Sequence, residues 1–253
     1  MQWVAYCTIV RREVRRFTRI WVQTITPPAV NAVLYMLIFG GLIGSRIREV
    51  DGFAYIDYLV PGIIMMGIIT NSYGNVVSSF FSTKLQKHIE ELLVSPVSNA
   101  TILAGYVTGG VARGATVGII VSIVALLFTN ITPVHPLTTI AIVVLTSIMF
   151  SLGGFINAVY AKTFDECSII TNFVLTPLTY LGGIFYSISM LPPLAQKLSL
   201  FNPVLYMING FRYGILGASD IAIWHSFAVV IVFIAILGAI AMTLLNRGVG
   251  IKA

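Results

Sequence analysis

Six stretches of the chain, residues 20–44, 58–80, 101–128, 137–160, 168–189 and 227–245, are apolar over about the length a bilayer demands, and Arg113 is the one Lys or Arg that falls inside any of them. A helix needs roughly 20 predominantly apolar residues to cross the hydrocarbon core. Six such runs in a chain of 253 residues leave short loops and no room for a soluble catalytic domain. Charged residues make up 9% of the chain, far below the roughly 25% of soluble domains, which excludes a soluble globule. Lipid cannot satisfy free backbone N–H and C=O groups, and a barrel would show shorter alternating strands instead. The predicted fold class is therefore all-α, a single polytopic membrane domain over 1–253 with six transmembrane helices. Pro27, Pro28, Pro61 and Pro177 lie within or near the runs and predict kinks, which are tolerated where neighbouring helices repair the freed carbonyls.

Orientation follows from the basic residues, which favour the cytoplasmic side. Arg11, Arg12, Arg15, Arg16, Arg19, Lys84, Lys87, Lys162, Arg247 and Lys252 fall on one side of the alternating spans. Arg46, Arg48, Lys197 and Arg212 fall on the other. Ten against four predicts both termini in the cytoplasm, and topology rather than a nucleic-acid partner accounts for the net charge of +6. The first run is too long for a secretory h-region and no small-x-small site follows it, so it is expected to stay attached. Ahead of it, Val10, Val14, Phe17 and Trp21 share one helical face while Arg11, Arg15 and Arg19 share another. This predicts an amphipathic helix over 1–19, either lying among anionic head groups or simply enforcing topology.

Residues 85–96, LQKHIEELLVSP, are among the most charged in the chain. Leu85, Ile89, Leu92 and Leu93 recur at helical spacing, and Lys84, Lys87, His88 and Glu91 fill the remaining positions. The pattern predicts an amphipathic helix over 84–95 in a cytoplasmic loop. Pro96 disfavours helix at Ser95, and Ser98 or Asn99 is placed to cap the next span. A loop that merely turned round would need only a few polar residues. A helix with defined ends suits docking into a partner's groove, or else floats on the head groups. A second short stretch, residues 204–216, is bounded by Asn202-Pro203 and by Gly217 and Asp220. It is too short to span, so it must dip into the membrane and return.

On these residues the chain resembles the permease subunits of type-two ATP-binding-cassette exporters. The resemblance rests on EELLVSPVS at 90–98 directly after the second run, and on Asn202-Pro203 followed by Arg212-x-Gly214 before the last run; it extends over the whole chain. VPG at 60–62 and FVLTPLTYLGGIFY at 173–186 are similar to the small permeases of the nodulation-factor-exporter type. The resemblance implies that 84–95 is a coupling helix entering a cleft on a cytoplasmic ATPase, with Lys87, Glu90, Glu91, Leu92 and Leu93 as contacts and Arg12 and Arg16 near the same interface. It also implies an external re-entrant helical hairpin over 190–220 carrying Asn202, Pro203 and Arg212. It implies a homodimer served by two ATPase copies in a bacterial inner membrane, with a pathway lined by the first, second and fifth spans. Asn31, Tyr35, Asn71, Asn75, Asn172 and Thr176 are polar positions on those spans, placed either to line a pathway or to bond helix to helix, because lipid-facing surfaces avoid amides. Arg212 is expected to meet anionic groups or to snorkel outward as an interfacial anchor.

The chain has no G-x-x-x-x-G-K-[ST], so ATP and Mg would belong to the partner subunit and this chain is expected to carry no cofactor and no catalysis of its own. Gly109, Gly110, Gly114 and Gly118 have small-x-x-x-small spacing and predict close helix packing. His88, His135 and His225 offer no metal-ligand spacing, and Cys7 and Cys167 no disulfide framework. No carboxylate falls inside a run, which disfavours a secondary transporter or channel, the alternative without an ATPase partner, and a lipid-modifying enzyme lacks a site. The function expected is ATP-driven export of an amphipathic, lipid-linked or drug-like substrate, in contact with membrane lipids.

Overall fold

The computed structural model describes residues 1–44, 47, 49–130 and 132–250, and the Leu93 side chain also lies outside what is described. Arg46, Arg48 and Lys252 of the charge count lie outside it too. Helix α1 (Gln2–Arg19) is followed after Ile20 by α2 (Trp21–Tyr35), which continues as a π-helical segment, Met36–Ile43. Next come α3 (Tyr55–Leu85), α4 (His88–Val94), α5 (Asn99–Ala125), α6 (Pro136–Tyr160) and α7 (Phe164–Ile170). A π segment, Thr171–Leu175, leads into α8 (Thr176–Tyr180), and α9 (Pro193–Ser199), α10 (Pro203–Leu216) and α11 (Ile223–Arg247) complete the chain. Among the described residues the departure from an all-helical chain is a small antiparallel hairpin, β1 (Glu49–Val50) and β2 (Phe53–Ala54). Its Asp51-Gly52 turn has φ of 52° and 82°, the geometry that Asp-Gly favours between two strands.

Among the described residues five helices are long and apolar enough to cross a membrane: Trp21–Ile43, Tyr55–Leu85, Asn99–Ala125, Pro136–Tyr160 and Ile223–Arg247. The run at 168–189 differs from expectation. Its helical part begins earlier, at Phe164, and ends at Tyr180, after which Gly183 takes φ +81° and Ser187 is extended. Pro177 explains the π segment before it, because proline has no N–H and its ring crowds the carbonyl four residues back, and a widened turn relieves both.

The core is the trio α3, α5 and α6. The predicted glycine packing is what brings these helices together. A Cβ on Gly114 would overlap Ser72 Oγ of α3 and sit 3.0 Å from Ser147 Oγ of α6. One on Gly118 would sit 2.9 Å from Ile68, and one on Gly109 2.6 Å from Glu13 Cβ of α1. Small residues let backbones approach where lipid provides no hydrophobic drive. Around this trio, α1 packs on α5, while α10 and α11 pack on α6.

Candidate functional site

Two candidate regions lie at the two ends of α6. At its C-terminal end the Lys84 ammonium, from the last turn of α3, donates to the Val159 and Ala161 carbonyls at 2.6 and 2.8 Å. A cation there satisfies orphan carbonyls and the negative helix end together. Three residues later Lys87 adopts φ +60°, which separates α3 from α4 and starts α4 at His88 rather than at Lys84. Lys84 and Leu85 thus belong to the end of α3, which shortens the loop helix expected over 84–95. Its other boundary is as Pro96 predicts: Ser95 is extended, and Ser98 Oγ accepts from Thr101 N as the N-cap of α5.

α4 is anchored inward by Ile89, 1% exposed, with Leu92 half-buried, and turns Lys87, His88, Glu90, Glu91 and Val94 outward. The link after it is clamped by Gln2 of α1, whose amide donates to Pro96 O at 3.0 Å and accepts from Ser98 N at 3.0 Å. Asn99 donates to Asn246 Oδ1 at 2.8 Å, so the end of α11 lies at this end too. A displacement of α4 therefore has stiff routes into α1, α3, α5 and α6.

α1 does not simply lie beside the bundle. Its inward face is Ile9, Glu13 and Phe17, and Glu13 is fully buried. The Glu13 carboxylate accepts from Ser79 Oγ at 2.6 Å and lies 3.6 and 3.5 Å from the Arg12 and Arg16 guanidiniums. Arg16 donates to Asn75 Oδ1 and Asn75 O at 2.8 and 2.9 Å, and Arg12 to the Tyr106 hydroxyl at 2.6 Å. Both arginines expected near an ATPase are thus partly engaged within the chain. Arg11 and Arg15 are fully outward. Glu13 went unrecognised in the sequence although its position among five arginines, three residues from Arg16, was a usable signal.

Beyond this cluster, α2, α3 and α5 line an open-sided cavity of about 340 Å³. It collects three of the six polar positions expected along a pathway, Asn31, Tyr35 and Asn71, and adds Gln23, Thr24, Thr70 and Arg113. Tyr35 reaches across to α8 through a 2.8 Å bond to the Tyr180 hydroxyl. The other three positions lie elsewhere. Asn75 is fully buried as the acceptor for Arg16, Asn172 is exposed on the π segment, and Thr176 donates to Thr171 O at 3.0 Å.

At the N-terminal end of α6, α10 is docked edge-in: His135 N donates to Gly214 O at 2.8 Å, and a Cβ on Gly210 would sit 2.9 Å from Ile142. Asn202 caps α10, accepting from Val204 N at 3.0 Å, and donates to Leu178 O at 2.7 Å; Pro203 occupies the first helical position. Arg212 corrects the sequence expectation. It is 1% exposed rather than snorkelling outward, stacks 3.7 Å above the Tyr58 ring, donates to Gly183 O at 2.8 Å and faces Asp220 at 4.0 Å. Asp220 in turn accepts from Ser187 Oγ at 2.9 Å and Ile188 N at 3.2 Å. An inward cation is retained because a ring face, a carbonyl and a carboxylate replace its water. Among the described residues no cluster of His, Cys, Asp and Glu could hold a metal.

The ABC-2 type transporter family matches residues 4–216 of the chain. The inner membrane transport permease YadH of Escherichia coli (strain K12) is 52% identical over 254 aligned residues, covering 100% of this chain and 99% of the relative. Nodulation protein J of Rhizobium leguminosarum bv. viciae is 21% identical, covering 98% of this chain and 95% of its own length. Nodulation protein J of Rhizobium meliloti (strain 1021) is 22% identical over 85% and 82%.

Proposed function

The chain belongs to the ABC-2 type transporter family, and from that premise we propose that it is the permease subunit of an ATP-driven exporter in a bacterial inner membrane. One observation carries the mechanism: α4 is pinned at both ends yet presents Lys87, Glu90 and Glu91 outward. An ATPase subunit binds that face, with ATP and Mg on the ATPase. Half-buried Leu92 adds to the contact on α4, and Arg12 and Arg16, with the exposed Arg11 and Arg15, add positive charge from α1.

Both termini are cytoplasmic in this reading, supported by the charge count and by the gathering of Gln2, α4 and Asn246 at one end. The helical stretch 164–180 serves as the sixth crossing. Two copies form the working unit. Exposed apolar side chains on α2 (Val30, Leu34) and on the 164–180 stretch (Ile169, Phe173) supply surface for the second copy and for lipid. Nucleotide-driven closure of the two ATPases pushes each α4. The push passes through the Lys84 clamp into α6 and through the Gln2 clamp into α1, and the two copies rock about the cavity lined by Asn31, Tyr35 and Asn71. The cargo is an amphipathic or lipid-linked molecule.

The test is to tag the C-terminus, extract the chain gently from its native membrane and identify what co-purifies. A P-loop ATPase in a one-to-one ratio supports the proposal. An intact chain that repeatedly emerges with no ATPase refutes it and favours a channel or secondary transporter. In the assembled complex, Glu91→Lys is expected to leave insertion unchanged and to uncouple ATP hydrolysis from transport. Undisturbed coupling would remove α4 from the docking role.

A further inference from the structure

Two inward-facing guanidiniums, half-buried Arg16 and buried Arg212, have carboxylate neighbours, whereas half-buried Arg113 has none among the described residues. Arg16 has Glu13 at 3.5 Å, and Arg212 has Asp220 at 4.0 Å. Arg113, the fifteenth residue of the 27-residue α5, stands about 21 Å along that helix, near the middle of a membrane crossing. Among the described residues it forms no ion pair. Its one protein hydrogen bond is to a neutral acceptor, Asn71 Oδ1 at 3.2 Å, and its buried Nε has no partner. The ion pairs of Glu13 are with Arg12 and Arg16, not with Arg113. A cation at membrane depth is costly and marks a pathway or a ligand when no counter-ion accompanies it.

Arg113 faces the cavity between α2, α3 and α5, and no carboxylate is among that cavity's described lining residues. Asn31, Tyr35 and Asn71 supply amide and hydroxyl groups around it, and Pro28, Ile63 and Met66 supply an apolar wall. Small-molecule sites combine these elements: mostly apolar walls with a few polar groups that fix orientation.

We propose that this cavity binds the anionic headgroup of the transported amphiphile, with the Arg113 guanidinium as its counter-ion and Asn31 and Asn71 beside it. The proposal rests on the exporter reading and names its substrate class: an amphiphile whose head bears a phosphate, sulfate or carboxylate. A planar guanidinium binds any of these oxyanions through two parallel N–H donors. The apolar wall beside it favours a headgroup still attached to its chain over a free ion.

The experiment uses the full chain in phosphatidylcholine nanodiscs and measures binding of dodecyl phosphate by calorimetry, with neutral dodecyl maltoside and inorganic phosphate as comparators. Wild type is expected to bind dodecyl phosphate at least tenfold more tightly than dodecyl maltoside, and equimolar inorganic phosphate is expected not to displace it. Arg113→Gln should abolish the preference, and Arg113→Lys should keep most of it. Asn31→Asp, a change at an exposed wall position, should weaken dodecyl phosphate binding by repulsion more than it weakens dodecyl maltoside binding, and so reduce the preference. Should Arg113→Gln not fold, the wild-type preference and Asn31→Asp decide the matter. Equal binding of the two amphiphiles to wild type, or an unchanged preference in Arg113→Gln or in Asn31→Asp, would overturn the proposal. Displacement by inorganic phosphate would assign the site to a free anion and overturn the amphiphile. These measurements need no ATPase, so their failure leaves the exporter reading standing, and failure to recover an ATPase leaves the binding result standing.

Discussion

The α3 helix and the α2 segment are both apolar and both long enough to cross a bilayer, yet 78% of the most apolar window of α3 is buried within the chain, against 11% for Trp21–Ile43. The difference lies in what they meet. α3 is gripped by glycine faces of α5 and α6, so backbone lies close to backbone. α2 touches α5 along one side and faces the cavity along another, and it carries the Pro27-Pro28 pair and runs into a π segment. One region is a rigid body built from small-residue contacts. The other is a wall whose remaining partners are lipid, a second copy or cargo, and π segments commonly mark such functional positions.

The sharpest way to break this contrast is to place the same substitution in both regions. Gly114→Leu should abolish recovery of monodisperse protein, because even a Cβ there collides with Ser72. Gly41→Leu, where a Cβ meets nothing within 4 Å, should leave recovery near wild type. Size-exclusion profiles of the two variants decide it, and equal losses would mean that α2 is packed as tightly as α3.

A smaller effect is expected where the rigid body meets α1. Glu13→Ala leaves the buried Ser79 hydroxyl without its acceptor and two partly exposed guanidiniums without their carboxylate, a loss of about 1–3 kcal/mol, and should lower the midpoint of thermal unfolding in detergent by several degrees. An unchanged midpoint would show that α1 is an appendage rather than part of the core. The smallest effect belongs to the wall. Tyr35→Phe removes one hydroxyl–hydroxyl bond to Tyr180, worth about 0.5–1.5 kcal/mol, and should barely move the same midpoint. A large shift would tie α2 and α8 into the rigid body.

Much of this architecture was legible because it is local. The glycines at 109, 110, 114 and 118 advertise a packing face by spacing alone, and Pro96 with Ser98 marks where α4 stops and α5 starts. The start of α4 was not legible, since nothing in the composition of Leu85–Lys87 announces a left-handed turn at Lys87. Asn31, Tyr35 and Asn71 were recognisable as polar positions on crossing helices. Asn75, of the same kind and one turn from Asn71, proved to be an internal acceptor for Arg16, a distinction made by a neighbour 59 residues away.

The sequence by itself determined the solvent and the class: runs of this length and apolarity fold as membrane helices because the bilayer leaves backbone polar groups no other partner. Only the tertiary structure decided which charges are at rest. Glu13 meets Ser79 across 66 residues and Arg12 meets Tyr106 across 94, while Arg113 meets a neutral amide and a cavity. The physical reason is that hydrophobic period and turn chemistry act over a few residues and are written along the chain. Compensation of a buried charge depends on which distant side chain is folded against it.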